Sequence, residues 1–428
     1  MSVYPNVLIV SNTCFSYTGN LGRTLSNLFE GWPADRLSQL YFHSGVPGGE
    51  VCRSYFRFSD ADALRSVIDR KHRGLEIDAR SGQDVRCAAD QIAAYGYSLI
   101  RGEKSSVVRL AREVWWSLSN WDSPRLRAWV RGRAPQVILF VVGDCLFTYR
   151  IVNRLADDLD IPVVPLCLDD YLSDADGSRY SIGNFLQKHI LKQAAATMDR
   201  SRFLLTACEG MSRDYAQKYG RECREIYTVA SKPEAPAGGG REICYFGNIG
   251  LGRWSSLLAI GKAVRSLGLD GIHVYSGEKP GAAEKWLTVE NGIFFHGSIP
   301  YQEVKEKTAR SILLLHVESF DQSDAERVRY SISTKIADGL ASGICIFAYG
   351  PAEVNSIQYL KRNHAAYVVT DEKDLAAGLR EILEDDGLRG EVIRNAVNLA
   401  RTNHSREHNQ RVLLEVLNDS LDAGPVEG

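Results

Sequence analysis

The sequence predicts an α/β protein built from two consecutive doubly wound domains, and three observations lead to this prediction. Its 428 residues exceed what one hydrophobic core usually serves. Short apolar runs rich in β-branched residues alternate with helical stretches, which is typical of parallel sheets covered on both faces. A Pro/Ala/Gly stretch at 231–240 interrupts this alternation and predicts a linker.

Two series of apolar runs predict the strands of the two sheets. The first series comprises NVLIVSN (6–12), LSQLYFH (37–43), QVILFVVG (136–143), IPVVPLCL (161–168) and RFLLTAC (202–208). The second comprises EICYFGN (242–248), IHVYSG (272–277), GIFFHG (292–297), SILLLHVE (311–318), ICIFAYG (344–350) and AAYVVT (365–370). We therefore assign the first domain to residues 1–235 and the second to 236–428, including the terminal helices.

Composition narrows the function classes. A formal net charge of −2 gives no argument for nucleic-acid binding. The first residues contain no basic leader, and no apolar run approaches the roughly 20 residues that span a bilayer. The nine cysteines are scattered and include no Cys-x-x-Cys pair, so they indicate neither a zinc site nor a redox pair. We expect a cytoplasmic protein.

Residues 101–133 depart from the alternating pattern. This segment contains eight Lys or Arg against three Asp or Glu, and it contains Trp115, Trp116, Trp121 and Trp129. A basic, Trp-rich amphipathic helix can lie on an anionic membrane, at the inner face in this case. The alternative is a helix that packs its aromatic residues inward and exposes its arginines.

Three strand-to-helix turns contain residues suited to an anion, and such turns hold the ligands of doubly wound sheets. Gly19 and Gly22 flank the first turn, where glycines and a helix N-terminus favour phosphate. Packing geometry explains that turn equally well. The second turn, YFGNIGLGR, ends at Arg253, whose guanidinium can bind phosphate oxygens. Its alternative is a surface arginine on a glycine-rich loop.

The third turn, SISTKIADG, opens a helix with polar side chains. Ser333, Thr334 and Lys335 suit a diphosphate, and Asp338 lies one turn further along the same face, where its carboxylate suits ribose hydroxyls. An ordinary N-cap with a helix-dipole carboxylate gives the same pattern. From the residues alone, we expect two domains facing across a cleft that holds a phosphate-bearing ligand.

Four segments in this order resemble the retaining GT-B glycosyltransferases. LLTACEGMSRDYAQKYG resembles the strand that leads into a helix ending Tyr-Gly, and YFGNIGLGR resembles the loop that grips the donor diphosphate. GIFFHGSIPYQEVKE resembles the step beside the nucleotide base. STKIADGLASG resembles the family's donor-binding helix, with Lys335 at its lysine and Asp338 at its glutamate. The resemblance spans most of the chain, although residues 60–135 match poorly.

The chain also departs from the family pattern. Asn248 stands where the loop usually carries arginine, and Tyr330 stands where the donor motif has its first glutamate. Glu318 or Glu326, from the preceding loop, are the candidate replacements. After the fourth strand, where the family often carries histidine, this chain has Asp169 and Asp170.

The resemblance implies a metal-independent, cofactor-free transfer of sugar from a nucleotide sugar to a glycan or lipid-linked acceptor, with retained configuration. It implies that Arg253 and Lys335 are catalytic and that Asp169 and Asp170 lie on the acceptor side. The donor-binding residues that it implies are Gly19, Gly22, Gly247, Asn248, Gly277, His296, Gly297, Ser333, Thr334 and Asp338. A GT-B nucleotide-sugar epimerase and a non-catalytic sugar-nucleotide-binding relative remain alternatives.

Overall fold

The computed structural model describes residues 4–16, 20–48, 50–71, 74–79, 106–173, 182–230 and 240–422. The linker predicted at 231–240 therefore lies almost wholly outside the described residues, as does Gly19. The chain divides into two compact units, one formed by residues 1–226 with 410–428 and the other by residues 227–409. Each unit contains one sheet, and all eleven apolar runs of the two predicted series form strands.

The first unit contains eight strands and, apart from the last helix, seven helices among its described residues. The strands are β1 (Val7–Ser11), β2 (Leu37–Tyr41), β3 (Ser54–Arg57), β4 (Leu75–Asp78), β5 (Val137–Val141), β6 (Val163–Cys167), β7 (Phe203–Thr206) and β8 (Glu222–Glu225). The helices are α1 (Asn20–Phe29), α2 (Asp60–Ile68), α3 (Ser106–Leu118), α4 (Pro124–Arg133), α5 (Leu146–Leu159), α6 (Ile182–Asp199) and α7 (Glu209–Tyr219).

The first sheet has the order β4-β3-β2-β1-β5-β6-β7-β8. Neighbouring strands are parallel except for β3 and β4, which pair antiparallel. Strands β1, β2, β5 and β6 are buried along their whole length, as continuous apolar runs predict for a sheet covered on both faces. The strand order reverses between β1 and β5, so their carboxyl ends form the ligand-binding edge expected of such a sheet.

The second unit is an all-parallel sheet with its own helices. Its strands are β9 (Glu242–Phe246), β10 (Ile272–Tyr275), β11 (Ile293–Gly297), β12 (Ser311–Val317), β13 (Cys345–Tyr349) and β14 (Tyr367–Val369). Its helices are α8 (Arg253–Ser266), α9 (Tyr301–Ala309), α10 (Gln322–Arg327), α11 (Thr334–Ala341), α12 (Asn355–Arg362), α13 (Leu375–Glu384) and α14 (Asp386–Thr402).

The order of the second sheet, β11-β10-β9-β12-β13-β14, reverses between β9 and β12. The carboxyl ends of these two strands therefore mark the expected ligand site of this unit. The turn that follows β9 begins at Gly247, and the loop that follows β12 begins at Glu318.

The last helix, α15 (Arg406–Asp422), differs from the predicted organisation. Leu413, Val416 and Leu417 are buried in the core formed by the β1, β5 and β7 side chains of the first unit. The sequence prediction placed this helix in the second domain because its apolar spacing identifies a buried face but does not identify the core that receives it. The first unit is thus discontinuous in sequence.

Candidate functional site

Arg253 forms a buried ion pair that spans the switch point of the second sheet. It is the first residue of α8, which directly follows the glycine turn after β9. Its Nε and Nη2 atoms lie 2.9 and 2.8 Å from a single oxygen, Oε2 of Glu318. Because Glu318 follows β12, the pair joins the carboxyl ends of the two strands between which the sheet order reverses.

Glu318 is held in place on several sides. Its side chain is only 2–3% exposed, and burial raises the pKa of its carboxyl group, whereas Arg253 and Lys335 act to lower it. Its backbone N–H donates to the Tyr349 carbonyl at 3.0 Å, and its own carbonyl accepts from the Ser256 hydroxyl at 2.7 Å. The carboxylate is therefore a fixed element of the site.

Lys335 belongs to the same electrostatic cluster. It occupies the first turn of α11, whose N-cap Ser333 accepts the Lys335 backbone N–H at 3.4 Å. Although the residue is solvent-exposed, the surrounding protein atoms lower the pKa of its ammonium group, and repulsion from Arg253 lowers it further. Attraction to Glu318 opposes both effects. The two predicted catalytic cations thus come from different elements: Arg253 contacts Glu318 directly, and Lys335 lies near enough to act on the pKa of the same carboxyl group.

His316 lies beside this cluster as a neutral side chain. Burial, together with the positive charges of Arg253 and Lys335, lowers its pKa to about 3. Its Nε2 lies 2.9 Å from the Ser356 hydroxyl and 3.8 Å from Glu318 Oε1. A neutral imidazole forms no ion pair with the carboxylate, so the geometry favours the structural interpretation of this histidine.

The glycine turn after β9 is a rigid, internally bonded loop. Leu251 and Gly252 both adopt positive φ angles, 51° and 67°, which is uncommon for leucine. Gly250 donates its N–H to Asn248 Oδ1 at 2.5 Å and to Glu278 Oε2 at 2.9 Å. Asn248, predicted to bind donor, therefore also shapes the turn.

Backbone donors at the start of α8 are used within the turn itself. The N–H groups of Arg253, Trp254 and Ser255 donate to the carbonyls of Gly250, Ile249 and Gly252, respectively. These three N–H groups are therefore already hydrogen-bonded within the turn, and the guanidinium of Arg253 is the phosphate-binding group that the turn offers. Gly247 lies at the strand end, where an added Cβ would stand 2.5 Å from the Tyr245 ring.

The remaining donor-binding predictions within the second unit lie at neighbouring strand ends. Ser276, next to Gly277, donates its N–H to the Gly297 carbonyl at 2.9 Å, which brings the two predicted glycines close together. The ring of His296 stacks on that of Tyr275, with 4.6 Å between the centroids. Its Nε2 lies within hydrogen-bond distance of His273 Nδ1, at 3.0 Å. Burial lowers the pKa of His296, and repulsion from His273 and Lys307 lowers it further.

The predicted donor-binding residues Thr334 and Asp338 both lie on α11. Thr334 is exposed and Asp338 is half-buried on this helix, one turn beyond Lys335. Asp338 lies near enough to His404 to act on the pKa of that imidazole.

The predicted site residues of the first unit follow two different strands, β1 and β6. Gly22 lies inside α1 rather than in the turn before it, and a Cβ there would stand 2.8 Å from the Cys14 carbonyl oxygen. Close packing therefore accounts for this glycine. Asp170 accepts from the Tyr215 hydroxyl at 2.8 Å and from the Ser173 N–H at 3.1 Å, so it is committed to its loop.

Asp169 is the exposed member of the carboxylate pair. Its surroundings raise the pKa of its carboxyl group by desolvation, the Asp170 charge adds to this effect, and a Tyr171 hydrogen bond opposes it. The two adjacent carboxylates thus have different environments, and Asp169 is the one available to a ligand at this sheet edge.

Trp116 and Trp129, in the basic segment, belong to the core of the first unit. Trp116 stacks on Phe147 at 3.8 Å and donates its indole N–H to Asp60 at 2.6 Å. Trp129 donates to the Ser54 hydroxyl at 3.0 Å. These contacts match the inward-packing alternative for both tryptophans.

The outer face of α3 nevertheless carries apolar side chains. Val107, Val114 and Leu118 are between 50 and 59% exposed, at helical spacing on this face. Across the described ranges, no helix combines the length and the apolar character needed to cross a membrane.

Comparison with solved structures identifies the fold. Anabaena HepE in complex with UDP superimposes with a TM-score of 0.61 at 11% identity, over 97% of this chain and 100% of that one. Sucrose-phosphate synthase of Thermosynechococcus elongatus gives 0.60 at 10% identity, over 98% and 100%. The lipopolysaccharide-biosynthesis glycosyltransferase WaaG gives 0.53 at 14%, over 98% and 100%. The chain has the GT-B fold, as predicted.

The second comparison concerns the activity class. Residues 259–415, most of the second unit, match the glycosyl transferase-like family, whereas no curated protein matches the sequence. The matched segment contains Glu318 and Lys335 and begins within α8, the helix that Arg253 opens. The family match over the second unit and the GT-B fold together support the glycosyltransferase activity that the sequence predicted.

Proposed function

We propose that the protein transfers a sugar from a nucleoside-diphosphate sugar and that Arg253 and Lys335 bind the donor diphosphate. The observation that carries the proposal is the position of Arg253, whose ion pair with Glu318 joins the ends of β9 and β12 at the switch point of the second sheet. Lys335, in the first turn of α11, lies near enough to act on the pKa of the same carboxyl group. The HepE structures obtained with UDP, with UDP and glucose, and with UDP-glucose support a nucleotide-sugar donor.

The chemistry follows from the leaving group. When the bond from the anomeric carbon to the diphosphate breaks, negative charge develops on the β-phosphate. Arg253 offers forked N–H donors and Lys335 a compact ammonium, so the pair stabilises this charge from two directions. Because two cations supply this stabilisation, we propose that transfer proceeds without a metal or cofactor. Retention of configuration is proposed from the resemblance to the retaining GT-B glycosyltransferases.

The acceptor is proposed to be a glycan or a lipid-linked glycan that approaches Asp169 on the first unit. An exposed carboxylate at the carboxyl edge of that sheet suits hydroxyl donors.

Contact with an anionic membrane is proposed through the apolar face of α3 rather than through buried Trp116 and Trp129. Flotation of the protein with anionic but not neutral liposomes, abolished by Val114→Asp, is the expected result. Failure to float at low salt would end this idea.

A donor screen tests the central proposal. Thermal shift with UDP, GDP and ADP is expected to select one nucleoside diphosphate, because a ligand that binds only the folded state raises the apparent stability. The corresponding radiolabelled nucleotide sugar is then incubated with the protein in EDTA. Transfer or slow hydrolysis supports the proposal. An isomerised donor would indicate an epimerase, and binding without turnover would indicate a non-catalytic relative; either result contradicts it.

A further inference from the structure

Glu318 is a buried carboxylate that the proposed phosphate chemistry does not use. A carboxylate beside a diphosphate site repels the ligand, so its presence there needs a reason. The structure supplies one in the geometry of the Arg253 side chain. Both N–H groups of one guanidinium edge, on Nε and Nη2, lie within 2.9 Å of Glu318 Oε2.

We propose that Glu318 is a positioning residue, which fixes the guanidinium of Arg253 so that its opposite edge meets the donor diphosphate. Arginine has five N–H donors in one plane. Glu318 uses two of them, and the Nη1/Nη2 edge retains a donor on each nitrogen for a pair of phosphate oxygens. This inference rests on the proposed function, because it assigns a role to Glu318 only if Arg253 binds phosphate.

The carboxylate is itself restrained enough to orient a partner. Its backbone is tied to β13 through Tyr349 and to α8 through Ser256. Its Cβ lies 3.0 Å from the position that a Cβ on Gly350 would occupy, so the strand end packs closely against it. An arginine with many rotamers thereby loses its freedom before the donor arrives, which is how preorganised charge lowers a barrier.

Glu318 has two opposite effects: its charge repels the donor diphosphate, and its contact with Arg253 favours turnover. Measuring nucleotide affinity and kcat separately therefore distinguishes a positioning residue from a merely structural one. Removing its charge removes repulsion, so a nucleoside diphosphate binds Glu318→Gln as tightly as wild type or several-fold more tightly. Removing its hold on Arg253 lowers kcat, by about tenfold or more, since a misplaced charge-stabilising donor loses much of its effect. A merely structural residue would weaken binding and turnover together.

The experiment measures Kd for UDP, GDP and ADP, and kcat for release of nucleoside diphosphate from UDP-glucose, GDP-mannose and ADP-glucose. Wild type, Glu318→Gln and the control Glu384→Gln are compared. Glu384 is an exposed carboxylate at the end of α13 in the same unit, so its variant is expected to remain within about twofold of wild type.

A double-mutant cycle with Arg253→Gln completes the test. If Glu318 acts through Arg253, Glu318→Gln causes no further loss of kcat in the Arg253→Gln background. Additive losses, or an unchanged kcat in Glu318→Gln, would overturn the inference while leaving the proposed function standing. Absence of nucleoside-diphosphate binding by wild type would overturn both.

Discussion

At the scale of single residues, the charge of Arg253 and Lys335 carries the proposed catalysis. Arg253→Ala or Lys335→Ala is expected to lower kcat by about 10²-fold, the usual loss when one donor that stabilises developing charge is removed. Turnover assays on the selected donor measure this effect. Arg265→Ala is the control, because Arg265 is an exposed arginine of the same helix that donates to the Val289 carbonyl at 3.1 Å. Near-normal turnover in the double variant would refute the assignment.

A folding check must accompany the arginine variant. Arg253→Ala leaves the buried carboxylate of Glu318 without its ion-pair partner, and breaking such a pair is strongly destabilising. Lys335→Ala is the cleaner test, since Lys335 is exposed. Agreement of the two variants, with retained melting transitions, would assign the loss to catalysis.

His404 gives the second unit a pH-dependent stability. Its side chain is 1% exposed, and burial lowers its pKa to about 4. Its two ring nitrogens are hydrogen-bonded to the Thr228 carbonyl and the Tyr359 hydroxyl, respectively. The unfolded chain, with a histidine pKa near 6.5, binds the proton more strongly, so stability falls as the pH drops from 6.5 toward 4. Between pH 7 and pH 5 this group should remove about 2 kcal/mol.

Urea unfolding at pH 7 and pH 5 measures this loss. His404→Gln is expected to be less stable than wild type at pH 7 but to lose about 2 kcal/mol less on acidification. His364→Asn is the control, because His364 is an exposed histidine of the same unit. Its backbone has a positive φ angle, which asparagine tolerates. Equal acid sensitivity in wild type and His404→Gln would contradict the prediction.

Sequence reasoning at this scale identified the cations but not the ion pair of Arg253. The motif indicated Arg253 and Lys335, and it named Glu318 and Glu326 only as candidates to replace the missing first glutamate. The pairing of Glu318 with Arg253, a residue 65 positions earlier, depends on how the fold brings two strand ends together, and spacing in sequence does not encode that distance. The signal was present, since Glu318 ends the apolar run of β12.

At the scale of elements, continuous apolar runs predicted the central strands well and missed three short strands. Strands β3, β4 and β8 were not predicted: β3 is buried but has the mixed sequence SYFR, and β8, with the sequence ECRE, is at most half-buried. Such strands are specified by pairing with a neighbour rather than by their own pattern, because β propensity depends strongly on context.

The glycine turn that leads into α8 offers an element-scale test. Gly252 has φ 67°, and a Cβ there would clash with Ser319 Oγ and lie 2.6 Å from Asp324 Oδ2. Gly252→Ala is therefore expected to shift the turn, displace Arg253 and lower kcat by at least about tenfold. Steady-state kinetics and thermal melting measure the effect.

Gly268→Ala is the matched control for that substitution. Gly268 follows the end of the same helix and has a φ of 78°, but a Cβ there meets open space. Gly268→Ala should lower the free energy of unfolding by about 1 kcal/mol, because alanine disfavours the left-handed backbone conformation just as it does in Gly252→Ala. It should cause no steric clash and no loss of kcat. Equal kinetic losses in both variants would show that the turn does not position Arg253.

At the scale of the whole molecule, the sequence predicted two α/β units but did not predict that the last helix belongs to the first unit. A single boundary at residue 235 allows the chain to pass from the first unit to the second only once, whereas residues 410–428 return to the first unit. Helical periodicity predicts that α15 buries one face, and only the three-dimensional core decides which unit receives it.

The returning helix predicts that the first unit depends on the end of the chain for its stability. Leu417 is fully buried in the core of the first unit, so Leu417→Ala should cost about 2–5 kcal/mol through lost burial and the cavity left behind. Glu415→Ala, an exposed change on the same helix, should cost less than about 0.5 kcal/mol. Denaturant unfolding followed by the fluorescence of Trp32, Trp116 and Trp129, which all lie in the first unit, measures that loss. Equal stability of the two variants would show that α15 contributes no packing energy to this unit, and the discontinuous first unit would then be wrong.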